Sequence, residues 1–315
     1  MRRAIRISLS QLPRVGLQSP LKTARKLRVP KRALARGGFA AAVFWGGLIA
    51  LGAQAPANKA PQRMPNDWPL SLANVLPSGQ PVIPIFESWY PNPDGTIAFS
   101  FGFINLNSEE AVHIPLGPDN FIEPKRFDGF QPTYFEVAPK ERARFARHQS
   151  VFIVTVPKDF KGDVVWTLRV RGQVYSSPAR ATREEYGIED LESLTESPVA
   201  AVLKFPASGL SGRGRNAFVG GPLKTAVGKP LPLNIGIDLL SRPSSIVTWY
   251  HHQGPGKITF DPKQVVVKAG GDVNAAATFS QPGDYVVRVT ALESLAALEQ
   301  HCCYTNGYVK VTVTR

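Results

Sequence analysis

From Thr96 to Phe103 the chain alternates with a period of two. Ile97, Phe99, Phe101 and Phe103 fall on one face; Thr96, Ala98, Ser100 and Gly102 fall on the other. Successive side chains of a strand point to opposite faces, so this pattern predicts a half-buried strand. The turn-forming run Pro91-Asn92-Pro93-Asp94-Gly95 precedes it and makes Ile83–Tyr90 its hairpin partner. Further strands are predicted at Ala111–Pro115, Thr133–Val137, Val151–Val156 and Val164–Tyr175. Turns at Gly117-Pro118-Asp119-Asn120, at Phe127-Asp128-Gly129 and over Pro157–Asp163 separate them.

A second β-rich region begins near Ala200. Its predicted strands are Val202–Phe205, Leu231–Ile237, Ile246–His251, Lys257–Phe260, Gln264–Val267, Ala275–Phe279, Tyr285–Ala291 and Tyr308–Thr314. Leu292, Leu295 and Leu298 stand three apart and predict a short helix over Ala291–Gln300. Between the two regions, Arg180–Val199 carries Glu184, Glu185, Glu189, Asp190, Glu192 and Glu196 among Tyr186, Ile188, Leu191 and Leu194. This segment reads equally as a helix with an acidic face and as a solvated linker. Many short strands at even spacing predict an all-β chain with two immunoglobulin-like β-sandwich domains in tandem. The expected domains are residues 81–179 and 200–315, joined by the acidic segment 180–199.

Charge divides the chain differently. Of the 37 Lys and Arg residues, 13 lie in residues 1–65, which hold no Asp or Glu; the rest of the chain is balanced. The formal net charge of +13 therefore belongs to the leader. The remainder lacks the basic footprint of a phosphate-binding surface, which argues against a nucleic-acid partner. Lys31, Arg32 and Arg36 precede an uncharged stretch, Gly37–Asn58, whose apolar body includes Phe39–Trp45 and Leu48–Leu51. Ala55-Pro56-Ala57 follows as a small-residue exit. This order describes a secretory signal peptide over residues 1–57 with cleavage after Ala57. The stretch is also close to the ~20 residues that span a bilayer, so an uncleaved N-terminal anchor is the competing reading. An organellar transit peptide is a further one, which the apolar core argues against. Either export reading places the globular part outside the inner membrane, periplasmic or extracellular, with membrane contact only through residues 37–57 if the leader is retained. Residues 58–80, rich in Pro, Ala and Asn, read as a tether.

Candidate chemistry is sparse. The two cysteines, Cys302 and Cys303, are adjacent. Their Cα atoms are held ~3.8 Å apart, below the roughly 4.4–6.8 Å of ordinary disulfides. They read as a small buried pair, or alternatively as a redox pair. With His301 they form one soft-ligand cluster, and His251-His252 forms the other. Neither reaches four ligands at a metal-site spacing, and no cofactor or metal is expected. His251-His252 reads as a polar strand end. Asp94, Asp119, Asn120, Glu123 and Asp128 lie in turns, where calcium or ordinary turn chemistry would use them. There is no G-x-S-x-G or P-loop run, and Gly212-Arg213-Gly214-Arg215 lacks the pattern of one. Glu141–Arg147, with three arginines, reads as a solvated edge. No enzyme is expected. Trp89, Tyr90, Phe127 and Phe130, with Tyr134, remain as a ligand platform for a sugar ring or protein partner, or as core filling.

Two resemblances complete the reading. Val247-Thr248-Trp249, Gly254–Phe260 and Ala277–Ala291 resemble PKD-type and related immunoglobulin-like repeats over about residues 231–315. The resemblance implies that Trp249 is the core tryptophan of the third strand. It also implies that Tyr285, in Pro282-Gly283-Asp284-Tyr285, forms a tyrosine corner whose phenol bonds back to the backbone. Val287 stands where antibody domains carry the second cysteine, so no inter-sheet disulfide is implied. Glu87–Gly95 and Val154–Phe160 resemble uncharacterised domains of exported bacterial proteins. The expectation is an exported, non-catalytic protein that binds or spaces a protein or surface partner. The alternative is a carbohydrate-binding protein using the first-domain aromatics.

Overall fold

The computed structural model describes residues 76–138, 147–181, 187, 200–240, 243–292 and 304–315. All lie within one compact unit, Arg63–Arg315. The signal-peptide exit at Ala57, the pair Cys302-Cys303, most of the acidic linker and most of the Ala291–Gln300 helix lie outside the described residues.

The first sandwich contains β1 (Val82–Pro91), β2 (Ile97–Asn105), β3 (Val112–His113), β4 (Asn120–Glu123), β5 (Tyr134–Phe135), β6 (Arg147–Val156), β7 (Val164–Val170) and β8 (Gln173–Ala179). One sheet has the order β1-β2-β6 and the opposing one β4-β7-β8; β3 and β5 pair between them. This is the ABE/CFG arrangement of an immunoglobulin-like sandwich. Phe99, Phe101, Phe103, Ile122, Phe135, Phe152, Trp166 and Leu168 fill its core. The predicted single strand Val164–Tyr175 is two strands, β7 and β8. Arg171 and Gly172 both take positive φ (53° and 75°), the signature of a two-residue hairpin turn.

The second sandwich contains β9 (Val202–Phe205), β10 (Leu210–Gly212), β11 (Phe218–Ala226), β12 (Leu231–Pro232), β13 (Ile235–Asp238), β14 (Ser245–Gln253), β15 (Ile258–Asp261), β16 (Gln264–Val267), β17 (Gly271–Val273), β18 (Ala276–Phe279), β19 (Gly283–Leu292) and β20 (Tyr304–Thr314). A five-stranded sheet runs β11-β20-β19-β14-β16. Facing it are β10-β9-β13-β17 and β12-β18-β15. β11 pairs with β20 in parallel, while the other pairs of that sheet are antiparallel. Trp249, Phe205, Phe279, Tyr285, Val287, Val289 and Val311 build a core separate from the first.

Two further expectations need correction, and one strand is unforeseen. Thr96–Phe103 is not half-buried: Ala98 and Ser100 are as inaccessible as Phe99 and Phe101, because the second sandwich covers the outer face of β2. The tether does not run to residue 80 as free chain. Gly79 N–H donates to Glu110 Oε2 (2.7 Å), Gln80 N–H to Asn107 Oδ1 (2.7 Å) and Ser108 N–H to the Leu76 carbonyl (3.0 Å), which lays residues 76–80 along the loop after β2. β11 was not expected from the sequence at all, because Gly220-Gly221-Pro222 interrupts its apolar pattern.

Candidate functional site

The feature that distinguishes this fold from two beads on a string is the joint between its sandwiches. On β19, Tyr285, Val287, Val289 and Ala291 point into the second core. The alternate positions Arg288 and Thr290 point out, yet are 5% and 3% exposed. The neighbouring strands repeat this, with Thr248 and His252 on β14 and Tyr304, Asn306 and Tyr308 on β20 all buried. One face of the five-stranded sheet is thus an apolar core, and the other is a buried polar layer.

The first sandwich supplies the acceptors through an irregularity in β6. The β2–β6 register shifts between Phe101 and Phe103, which face Phe152 and His148 respectively. Ser150 sits in the resulting bulge at φ 51°. A bulge takes backbone groups out of the ladder and re-aims them. The Ser150 carbonyl accepts from Asn306 Nδ2 (2.8 Å) and Arg288 Nη1 (3.4 Å), and the Val151 carbonyl accepts from the Tyr308 hydroxyl (2.8 Å). Thr290 Oγ1 donates to Asn306 Oδ1 (2.7 Å), which orients the amide. Burial pushes the Tyr308 phenol well above its ordinary range against the pull of Arg288, so it remains a donor. Replacing Tyr308 by Phe removes this donor and leaves the Val151 carbonyl buried and bare. The expected cost is about 1–2 kcal/mol in urea unfolding followed by far-UV circular dichroism, with little change in the transition slope.

A second set of bonds joins the end of β14 to residues 129–136. Thr133 N–H donates to the His252 carbonyl (2.9 Å). Gln253 Nε2 donates to the carbonyls of Gly129 (3.0 Å) and Gln131 (2.7 Å), and Gly254 N–H donates to Thr133 Oγ1 (3.1 Å). His251 N–H donates to Glu136 Oε1 (3.2 Å), whose other oxygen accepts from Lys263 Nζ (2.5 Å). The histidines expected at a polar strand end are therefore inside the joint, 3% and 1% exposed. The His251 ring stacks on Tyr134 at 4.1 Å between centroids. The His252 ring packs against Phe130 and Tyr308, and its Nε2 lies 2.8 Å from the Phe130 carbonyl. Burial holds both imidazoles down at about 3, with neighbouring His113 and Arg288 pushing the same way.

A buried ion pair lies on the first-sandwich side. Arg147, expected on a solvated edge, holds Glu87 through both guanidinium and carboxylate arms, with Nε to Oε1 at 3.2 Å. The Glu87 side chain is fully buried, and burial pushes its carboxyl up to about 7 against the pull of Arg147. It lies over Gly102, where a Cβ would collide with the carboxylate and with the His148 carbonyl.

The four aromatic platform candidates do not share a surface. Arg215 lies 4.1 Å above the Tyr90 ring, which uses the Gly/Arg-rich run of the second sandwich to cover it. Trp89 is half-buried against the first core and bridges Gly187. Phe130 meets His252 and Tyr308. Phe127 meets Phe160 edge-on at 5.6 Å, with Arg126 4.7 Å above it. Trp249 is buried on β14, and the buried Tyr285 donates its hydroxyl to the Gln281 carbonyl (2.8 Å) while accepting from Gly256 N–H (3.1 Å).

The oxygen-bearing turn residues are engaged locally. Asp94 Oδ1 accepts from Thr96 N–H and Oγ1 (2.9 and 2.6 Å). Asp128 Oδ1 accepts from Ile122 N–H (3.0 Å) and Gln131 Nε2 (2.6 Å). Asn120 ties Ile114, Pro132 and Trp166 together. Among the described residues no group of three or more His, Cys, Asp or Glu side chains is arranged to hold a metal. A cleft of about 420 Å³ opens between β1 and β8, lined by Pro84, Phe86, Ser177 and Pro178 together with the Asp163–Arg180 ion pair. It contains no nucleophile–base pair. Among the described residues no helix is long and apolar enough to cross a membrane.

No known protein family and no curated protein matches the sequence. Among solved structures the chain is similar to the titin immunoglobulin tandem A164–A165 (12% identity, 75% of this chain, 99% of that one, TM-score 0.21). It is also similar to the D0–D1 domains of intimin (11%, 73%, 97%, TM-score 0.23). A third similarity is to a protein of unknown function from Porphyromonas gingivalis W83 (10%, 74%, 98%, TM-score 0.26). Likeness at this level carries no argument about activity.

Proposed function

We propose that this is an exported, non-catalytic protein of the bacterial periplasm or cell surface, in which two sandwiches fixed as one body bind or space a protein or surface partner. The joint is the observation that carries this reading. Flexible tandem domains meet through small contacts, whereas here a strand bulge, a row of buried polar side chains and the Glu136–Lys263 ion pair are committed to a fixed mutual placement. A fixed placement suits a protein that presents loops at a set separation. Export rests on the basic leader, the apolar stretch and the Ala57 exit, and the resemblances to PKD-type repeats and to exported bacterial domains point the same way.

The test is to express the full chain with a C-terminal tag in a bacterial host, fractionate the cells and determine the N-terminus by mass spectrometry. The expected product is outside the cytoplasm and begins at Asn58. A cytoplasmic chain with an intact leader overturns the reading. The sugar-binding alternative is supported by the half-exposed Phe127–Phe160 pair beneath Arg126. Signals on a glycan array that vanish in Phe127→Ala would favour it over a protein partner.

A further inference from the structure

The described histidines gather at one place. His251 and His252 are inside the joint, His148 stacks on Phe103 and meets the edge of Tyr250, and His113 is close enough to His251 to repel its charged form. Nothing in the proposed binding role uses them. The two fully enclosed rings are built to be neutral. With Nε2–H of His252 donating to the Phe130 carbonyl, Nδ1 is left without a hydrogen-bond partner among the described residues; at His251 the Gln253 and Gly254 backbone favours the charged ring, and burial outweighs it. Protonation would put a charge without solvent on each ring, and at His252 an added N–H with no acceptor.

The charged surroundings do not relieve this. His251 faces His113 from β3 and Tyr134 from β5, with Tyr285 from β19. Glu136 touches its backbone N–H and is itself held by Lys263. His252 faces Arg288 from β19 and Tyr308 from β20. Glu87, on the other side of the joint near Tyr304, responds in the opposite sense.

We propose that the joint is an acid-released latch: neutral His251 and His252 hold the sandwiches together, and their protonation lets the second sandwich move off the first about their single chain connection. A histidine at about 3 when enclosed and near 6.5 when exposed favours closure fully above ~6.5 and loses that contribution as pH falls. Each ring shifts the closed–open equilibrium about tenfold per pH unit below that point, so the two supply roughly 10⁴-fold between pH 7.5 and 4.5. Glu87 is protonated more readily when enclosed, so acid favours closure through it, by on the order of 10²-fold over the same range. The net expected shift towards the open form is about 10²-fold.

Small-angle scattering of the full chain from pH 7.5 to 4.5, with far-UV circular dichroism in parallel, tests this. The expected result is a rise in radius of gyration while the β-sheet spectrum is unchanged. The double variant His251→Phe/His252→Gln should stay compact to a lower pH. Glu87→Gln, which removes the opposing group, should expand about one pH unit higher than the parent. Should the double variant fail to fold, the Glu87→Gln shift still decides. Constant dimensions down to the pH at which the sheet spectrum is lost would overturn the latch, as would identical expansion in parent and variants.

Discussion

Replacing Trp166 by Ala is expected to destabilise the protein by about 3–5 kcal/mol, the range for deleting a large buried aromatic. Trp166 is wholly inaccessible on β7. Its ring meets Phe101 and Phe152 edge-on and Phe135 face-on, at centroid distances of 6.2, 5.1 and 6.2 Å. The cavity would thus be bounded by three rings on different strands, which cannot all move in to fill it. The indole also donates to Asn120 Oδ1 (3.0 Å), and the Asn120 amide donates to the carbonyls of Ile114 and Pro132. Losing the indole leaves a buried acceptor bare and frees the side chain that pins β4 to the following loop, which places the cost towards the upper end. Trp166→Phe keeps most of the volume and should cost about half as much. Urea unfolding measures both; a loss below about 1.5 kcal/mol for the alanine variant would mean that the three phenylalanines repack.

Trp166 also shows where sequence reasoning was blind. Alternation made β2 legible, and Gln264–Val267 coincides with β16, because turn residues bound those runs. In Val164–Val170, Val164, Trp166, Leu168 and Val170 share one face against Val165, Thr167 and Arg169 on the other, so alternation points Trp166 inward but does not say that three phenylalanines from other strands surround it. The joint was less legible still. Arg288, Thr290, Asn306 and Tyr308 occupy alternate positions, which ordinarily means a solvated face; only a second domain lying on that face makes them interior. One signal was present: valine on both sides of Arg288 and polar residues at the same phase on the next strand are costly on an exposed sheet. β6 starts before the predicted Val151: His148 and Ser150, which meet the second sandwich, look like loop residues, as does Arg147, which holds Glu87 within the first. Their role comes from a bulge that no apolar pattern encodes.

Gly254→Ala is expected to cost about 3–5 kcal/mol, combining backbone strain of ~1–3 kcal/mol with overpacking of similar size. Gly254 has φ +135°, a region that L-residues rarely enter. A Cβ there would also lie within 2.6 Å of Cγ of the Tyr285 ring. Tyr285 cannot yield cheaply, because its hydroxyl is fixed between Gln281 and Gly256 and its ring packs on Phe279 at 4.8 Å. The same glycine donates its N–H to Thr133 across the joint. Its displacement therefore loosens the tyrosine corner and the attachment of the first sandwich together. A double-mutant cycle separates the two contributions. Tyr285→Ala removes the collision but not the strain, so the double variant should be less destabilised than the sum of the singles by about 1–3 kcal/mol. Strict additivity would show that Gly254 matters through its backbone alone, and that the contact between corner and joint carries no energy.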